Sequence, residues 1–131
     1  MKERVLVVDD EHLVADTLGL IFQKHGYDCR VSYSGKDALR CAEAFCPELL
    51  LCDITMPGMD GLEVAASIVD HAPGCRVLLL TGYYINLKAA RTTIEFLHSD
   101  NQVMLKPVLP QELLHQAHLL LHPATFAGAA H

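Results

Sequence analysis

Short, nearly unbroken apolar runs alternate along this chain with longer stretches in which apolar residues recur every three or four positions. Residues 5–8, 49–52, 77–80 and 103–105 are runs of the first kind, as expected for parallel strands covered on both faces. Residues 28–32 give a weaker fifth strand. In the second kind, Val14, Leu18, Ile21 and Phe22 share one helical face, as do Ala38, Ala42 and Phe45, and then Leu62, Ala65, Ile68 and Ala72. Leu87, Ala90, Ile94 and Leu97 predict a fourth helix. Leu113, Ala117, Leu120 and Leu121 predict a fifth, after a proline at 110 that suits a first helical turn. Strand and helix alternate five times. Right-handed crossovers then give an α/β fold, a doubly wound five-stranded parallel sheet with five helices. Ligands of such sheets bind beyond the carboxyl ends of the strands.

Composition narrows this picture. At 131 residues the chain is of single-domain size. The periodic pattern fills residues 1–122 and leaves 123–131 as a loose, Ala-rich tail. No apolar run approaches the roughly 20 residues of a membrane span, so no membrane insertion is expected. A net charge of −6 lacks the basic footprint of phosphate-backbone binding, so no direct nucleic acid binding is expected. The five cysteines are odd in number and form no C-x-x-C pair, which reads as free thiols in a reducing compartment. The N-terminus shows no secretory pattern, and the expected location is cytoplasmic.

The strand ends carry the chemistry. Asp9 and Asp10 follow the first strand, Asp53 the third, Thr81 the fourth, and Lys106-Pro107 the fifth. Each has a plain reading: Asp9 to Glu11 as caps of the next helix, Asp53 as a turn residue, Thr81 as a cap, and Lys106 as a stem over apolar surface. Together they read differently. Three carboxylates at one sheet edge repel each other and raise their pKa values unless a cation neutralises them. All candidate donors are hard oxygens, so Mg²⁺ is expected, with Mn²⁺ possible, rather than zinc or copper. A carboxylate, a hydroxyl and an ammonium could then accept and hold a phosphoryl group.

From residue 4 to about residue 122 the chain resembles the receiver domain of two-component response regulators. Val5-Leu6-Val7-Val8-Asp9-Asp10-Glu11 is similar to that family's first strand and acidic pair, and Gly35-Lys36-Asp37-Ala38-Leu39 to its second-helix entry. The loop Asp53-Ile54-Thr55-Met56-Pro57-Gly58-Met59-Asp60-Gly61 is similar to its phosphoacceptor loop, with Thr81-Gly82-Tyr83 and Lys106-Pro107 completing the set. The resemblance implies that Asp53 accepts a phosphoryl group from a sensor histidine kinase, a histidine phosphotransfer protein or a small phosphodonor. It implies Mg²⁺ on Asp10 and Asp53, on Asp9 through water, and on the backbone carbonyl of Thr55. Lys106 would pair with the phosphate, the Thr81 hydroxyl beside Gly82 would move in to bond it, and the Lys106–Pro107 bond would be cis. The implied protein is a signalling switch, either a stand-alone receiver or part of a longer regulator, and not an enzyme beyond its own phosphorylation and slow dephosphorylation.

Some positions depart from that pattern. Val103 stands where the family usually carries Tyr or Phe, so the threonine-aromatic coupling has no ring there, and Tyr83 or Tyr84 is the candidate substitute. Thr55 and Tyr83 are neither acid nor amide, which implies slow loss of phosphate. His115, His118 and His122 share one side of the last helix; with no third ligand in view they read as a solvated polar face. Two alternative functions follow: a docking domain that needs no phosphate, or a phosphatase using an aspartyl phosphate. Asp9-Asp10-Glu11 lacks the D-x-D spacing of the latter.

Overall fold

Main-chain hydrogen bonds join β1 (Arg4–Val8), β2 (Asp28–Ser32), β3 (Leu49–Asp53), β4 (Arg76–Thr81) and β5 (Gln102–Leu105) into one parallel sheet, ordered β2-β1-β3-β4-β5. This computed structural model describes residues 1–82 and 102–123. The helices among them are α1 (His12–Lys24), α2 (Gly35–Phe45), α3 (Gly61–His71) and α4 (Pro110–Leu121). The helix expected around Leu87 to Leu97, Tyr83, Tyr84 and most of the expected tail lie outside the described residues. The all-parallel sheet and its class are as the apolar pattern predicts.

Successive strand side chains point to opposite faces, and this sorts the core into two layers. Leu6, Val8, Leu50, Cys52, Val77 and Leu79 pack with α2 and α3 residues such as Ala38, Phe45, Val64 and Ile68. Val5, Val7, Leu49, Leu51, Leu78 and Leu80 pack with Ala15, Leu18 and Phe22 of α1 and Leu113, Ala117 and Leu120 of α4. Both faces of β1, β3 and β4 are therefore dry, which is why these strands read as unbroken apolar runs. β5, expected to be covered on both faces, is instead an edge strand with Val103 and Met104 only part-buried and Leu105 43% exposed.

Two strands run one residue further than their apolar runs, taking in Asp53 and Thr81. Pairing continues through these polar positions: Asp53 lies opposite Leu80, and the Ile54 N–H donates to the Leu80 carbonyl at 2.8 Å. The two side chains thus sit on the sheet itself rather than on loops after it.

Helix starts are fixed by local chemistry. The Ser34 hydroxyl accepts the Asp37 N–H, and Asp60 and Glu63 form a reciprocal capping box at α3. α2 ends on Cys46 in the left-handed region, φ 52° and ψ 64°. That position favours glycine, because a Cβ there crowds the carbonyl. Cys46→Gly is accordingly expected to stabilise the protein by about 0.5–1 kcal/mol, read as a higher midpoint in urea unfolding. An unchanged or lower midpoint would mean that the Cβ is tolerated without cost.

Candidate functional site

The sheet order reverses at β1, which lies between β2 and β3. The crevice of a doubly wound fold forms at such a reversal, and Asp9-Asp10 and Asp53 flank it. One carboxylate oxygen from each of Asp9, Asp10 and Asp53 can be chosen so that all lie within 4.8 Å of one another.

Asp9 is 1% exposed, and both its oxygens are engaged. Oδ1 accepts the Glu11 N–H at 3.0 Å, while Oδ2 accepts from Lys106 Nζ at 3.0 Å. The same ammonium lies 3.5 Å from Asp53 Oδ2. Lys106 is aimed there by its main chain, whose N–H donates to the Thr81 carbonyl at 2.7 Å. The Lys106–Pro107 bond is cis, as expected. Thr81 is fully buried, and Gly82 beyond it is exposed.

Burial raises the Asp53 pKa above the ordinary carboxylate value. The Lys106 charge opposes this, the Asp9 charge adds to it, and the Thr55 N–H donates to the carboxylate and lowers it. Lys106 is itself held above its ordinary value: burial disfavours its charge, but the hydrogen bond to Asp9 and the charges of Asp53 and Asp9 outweigh that. The two directions agree physically, since Asp9 and Asp53 together hold the ammonium charged while the Asp9 charge also works against ionisation of Asp53. Behind them the Cys52 thiol is buried, donates to the Asp53 carbonyl at 3.4 Å, and has its pKa pushed up by burial and then by Asp53. It is an inert packing group.

The plain readings of these residues fail in specific ways. Glu11 is the N-cap of α1 and its side chain makes no cap bond, so the acidic group does not serve chiefly to cap that helix. Lys106 brings its ammonium to carboxylates rather than only covering apolar surface. The structure brings Asp9, Asp10, Asp53 and Lys106 together, with Thr81 at the adjacent strand end.

Residue-by-residue reading gave no reason for Gly61. A Cβ there would stand 2.2 Å from the Asp53 carbonyl oxygen, and the Gly61 N–H donates to the Ile54 carbonyl at 2.8 Å. The signal was present as Asp60-x-x-Glu63, a capping box that starts α3 directly against the end of β3.

Fold and site together define a doubly wound α/β domain with a lysine-bridged acidic cluster able to bind a metal at its switch point. Residues 5–118 match the response regulator receiver domain family. The DNA-binding response regulator MtrA of Mycolicibacterium smegmatis is 34% identical over 121 residues, covering 87% of this chain and 48% of that protein. MtrA of Mycobacterium tuberculosis is 33% identical with the same coverage. The chain spans about half the length of these curated relatives. Among solved structures, a CheY-like receiver domain protein from Methanospirillum hungatei superposes with a TM-score of 0.84 at 27% identity, covering 92% of this chain and 94% of that one. NtrX from Brucella abortus gives 0.85 at 26%, covering 95% of this chain and 28% of that one. The chain belongs to the response regulator receiver domain family, the receiver module of two-component signalling.

Two outcomes follow from the geometry. Gly61→Ala is expected to cost about 1–3 kcal/mol, the range for forcing atoms into a packed site, and urea unfolding measures it; a cost near zero would show that the start of α3 can shift. A carboxyl whose folded-state pKa is raised costs stability while ionised, and that cost disappears as pH falls through the folded pKa toward the unfolded one. Asp53→Asn is therefore expected to melt higher than wild type at neutral pH in EDTA, with the advantage shrinking on acidification. A lower melting point at neutral pH would mean that pairing with Lys106 outweighs burial.

Proposed function

We propose that Asp53 is the phosphoacceptor of a Mg²⁺-dependent switch, charged by a phosphohistidine on a sensor histidine kinase or histidine phosphotransfer protein. The observation that carries this is the meeting of Asp9, Asp10, Asp53 and Lys106 at the switch point. The donor set suits a hard divalent ion: three carboxylates, all oxygen, with the charge of only one offset by Lys106. Asp10 and Asp53 would hold Mg²⁺, or Mn²⁺, directly, together with the Thr55 carbonyl. Asp9 would act through water, in keeping with the engagement of its own oxygens by Glu11 and Lys106. When bound, the ion supplies positive charge against the carboxylates and the incoming phosphoryl oxygens.

The Asp53 carboxylate oxygen forms a bond to phosphorus as the phosphorus–nitrogen bond of the donor breaks, and the electron pair returns to the donor's ring nitrogen. The product is an acyl phosphate. Lys106 then pairs with the phosphoryl oxygens, and the Thr81 hydroxyl, with Gly82 next to it, turns to bond them. Moving a two-state equilibrium from 1:99 to 99:1 takes about 5.5 kcal/mol, within reach of several charge-assisted bonds formed only after phosphorylation. Val103 packs as a partly buried aliphatic against the α2 and α3 side of the core. Without a ring at this position, a second reading remains, a receiver fold that docks partners without phosphate.

Incubation with Mg²⁺ and acetyl phosphate is expected to add one phosphoryl group by intact mass, lost in EDTA and in Asp53→Ala, with slow decay after donor removal. If acetyl phosphate and a broad set of histidine kinases all fail to transfer, the docking reading replaces this one.

A further inference from the structure

Far from the acidic cluster, the last turn and C-cap of α4 carry two imidazoles, His118 and His122, beside a carboxylate from the lead-in to β1. The His122 N–H donates to the His118 carbonyl at 2.8 Å, so that turn is closed and the two side chains share one face. Their ring centroids are 4.6 Å apart, tilted by 38°. His122 Nε2 lies 3.1 Å from Glu3 Oε1. Glu3 is fixed by its main chain, whose carbonyl accepts the Asp28 N–H at 2.9 Å while the next residue begins β1. The spacing of the two histidines left them without a third ligand; the fold brings Glu3 beside His122.

We infer that Glu3, His118 and His122 form a second metal site, for a borderline transition ion of the zinc class. Imidazole nitrogens with a carboxylate oxygen are the donor set such ions prefer, and a poor one for the hard cations that suit Asp9, Asp10 and Asp53. His118 is exposed. Its ring must turn about the side-chain bonds to close the site, because among the described residues the trio already converged on one point is the aspartate one. Water completes the coordination. Glu3 precedes β1 and Asp9 follows it, roughly 20 Å apart at strand rise, so an ion here clamps the end of α4 to the start of the sheet without entering the Asp53 site.

The test titrates the protein, prepared without an affinity tag and saturated with Mg²⁺, with Zn²⁺ by calorimetry while histidine ring signals are followed by NMR. The expected result is one site of micromolar affinity that selectively shifts His118 and His122, weakens about tenfold or more in His118→Ala, His122→Ala and Glu3→Gln, and raises the melting temperature of wild type alone. Absence of binding in the micromolar range, or an affinity retained by the His118→Ala/His122→Ala double variant, overturns the site. Unchanged affinity in Glu3→Gln overturns the three-ligand form proposed.

Discussion

The ammonium of Lys106 is the pivot of this structure. It touches Asp9, which follows β1, and Asp53 at the end of β3, while Lys106 itself follows β5 at the far side of the sheet. Three strands far apart in sequence are thereby tied at one edge, and the contact exists only because the sheet order puts β1 beside β3. A site assembled this way needs its backbone before its charges. The two dry layers of valine and leucine supply that backbone, and the carboxylates take positions that hydrophobic packing has already set.

The electrostatics explain why such a cluster suits chemistry better than stability. Burial pushes Asp53 toward its neutral form, and Asp9 adds to the push, yet Lys106 and the Thr55 N–H hold against it. Positive charge is still wanting around the three carboxylates, which is the electrostatic condition that suits a divalent cation. A fully neutralised site would have little left to offer it.

Much of this was legible in the chain. Unbroken runs such as residues 49–52 announced strands buried on both faces, and alternation with helical spacing announced their parallel arrangement. Asp9, Asp10, Asp53 and Lys106 were legible as a group because each stands where an apolar run stops. What could not be read was contact. Which carboxylate oxygen Lys106 meets depends on side-chain placement between residues 97 positions apart. The need for Gly61 depends on how closely α3 approaches the Asp53 carbonyl, a distance that no local propensity encodes. Strand ends were one residue short for a related reason: polarity ends the hydrophobic pattern at Asp53 and Thr81, while hydrogen bonding carries the strand through them.

The connection from β3 to α3 has a mechanical consequence. The Gly61 N–H on the Ile54 carbonyl, the Asp60–Glu63 box and the close seat of Gly61 against Asp53 clasp that loop from both ends. Because a Cβ at position 61 would stand 2.2 Å from the Asp53 carbonyl oxygen, the start of α3 and the backbone of Asp53 cannot be repositioned independently of each other.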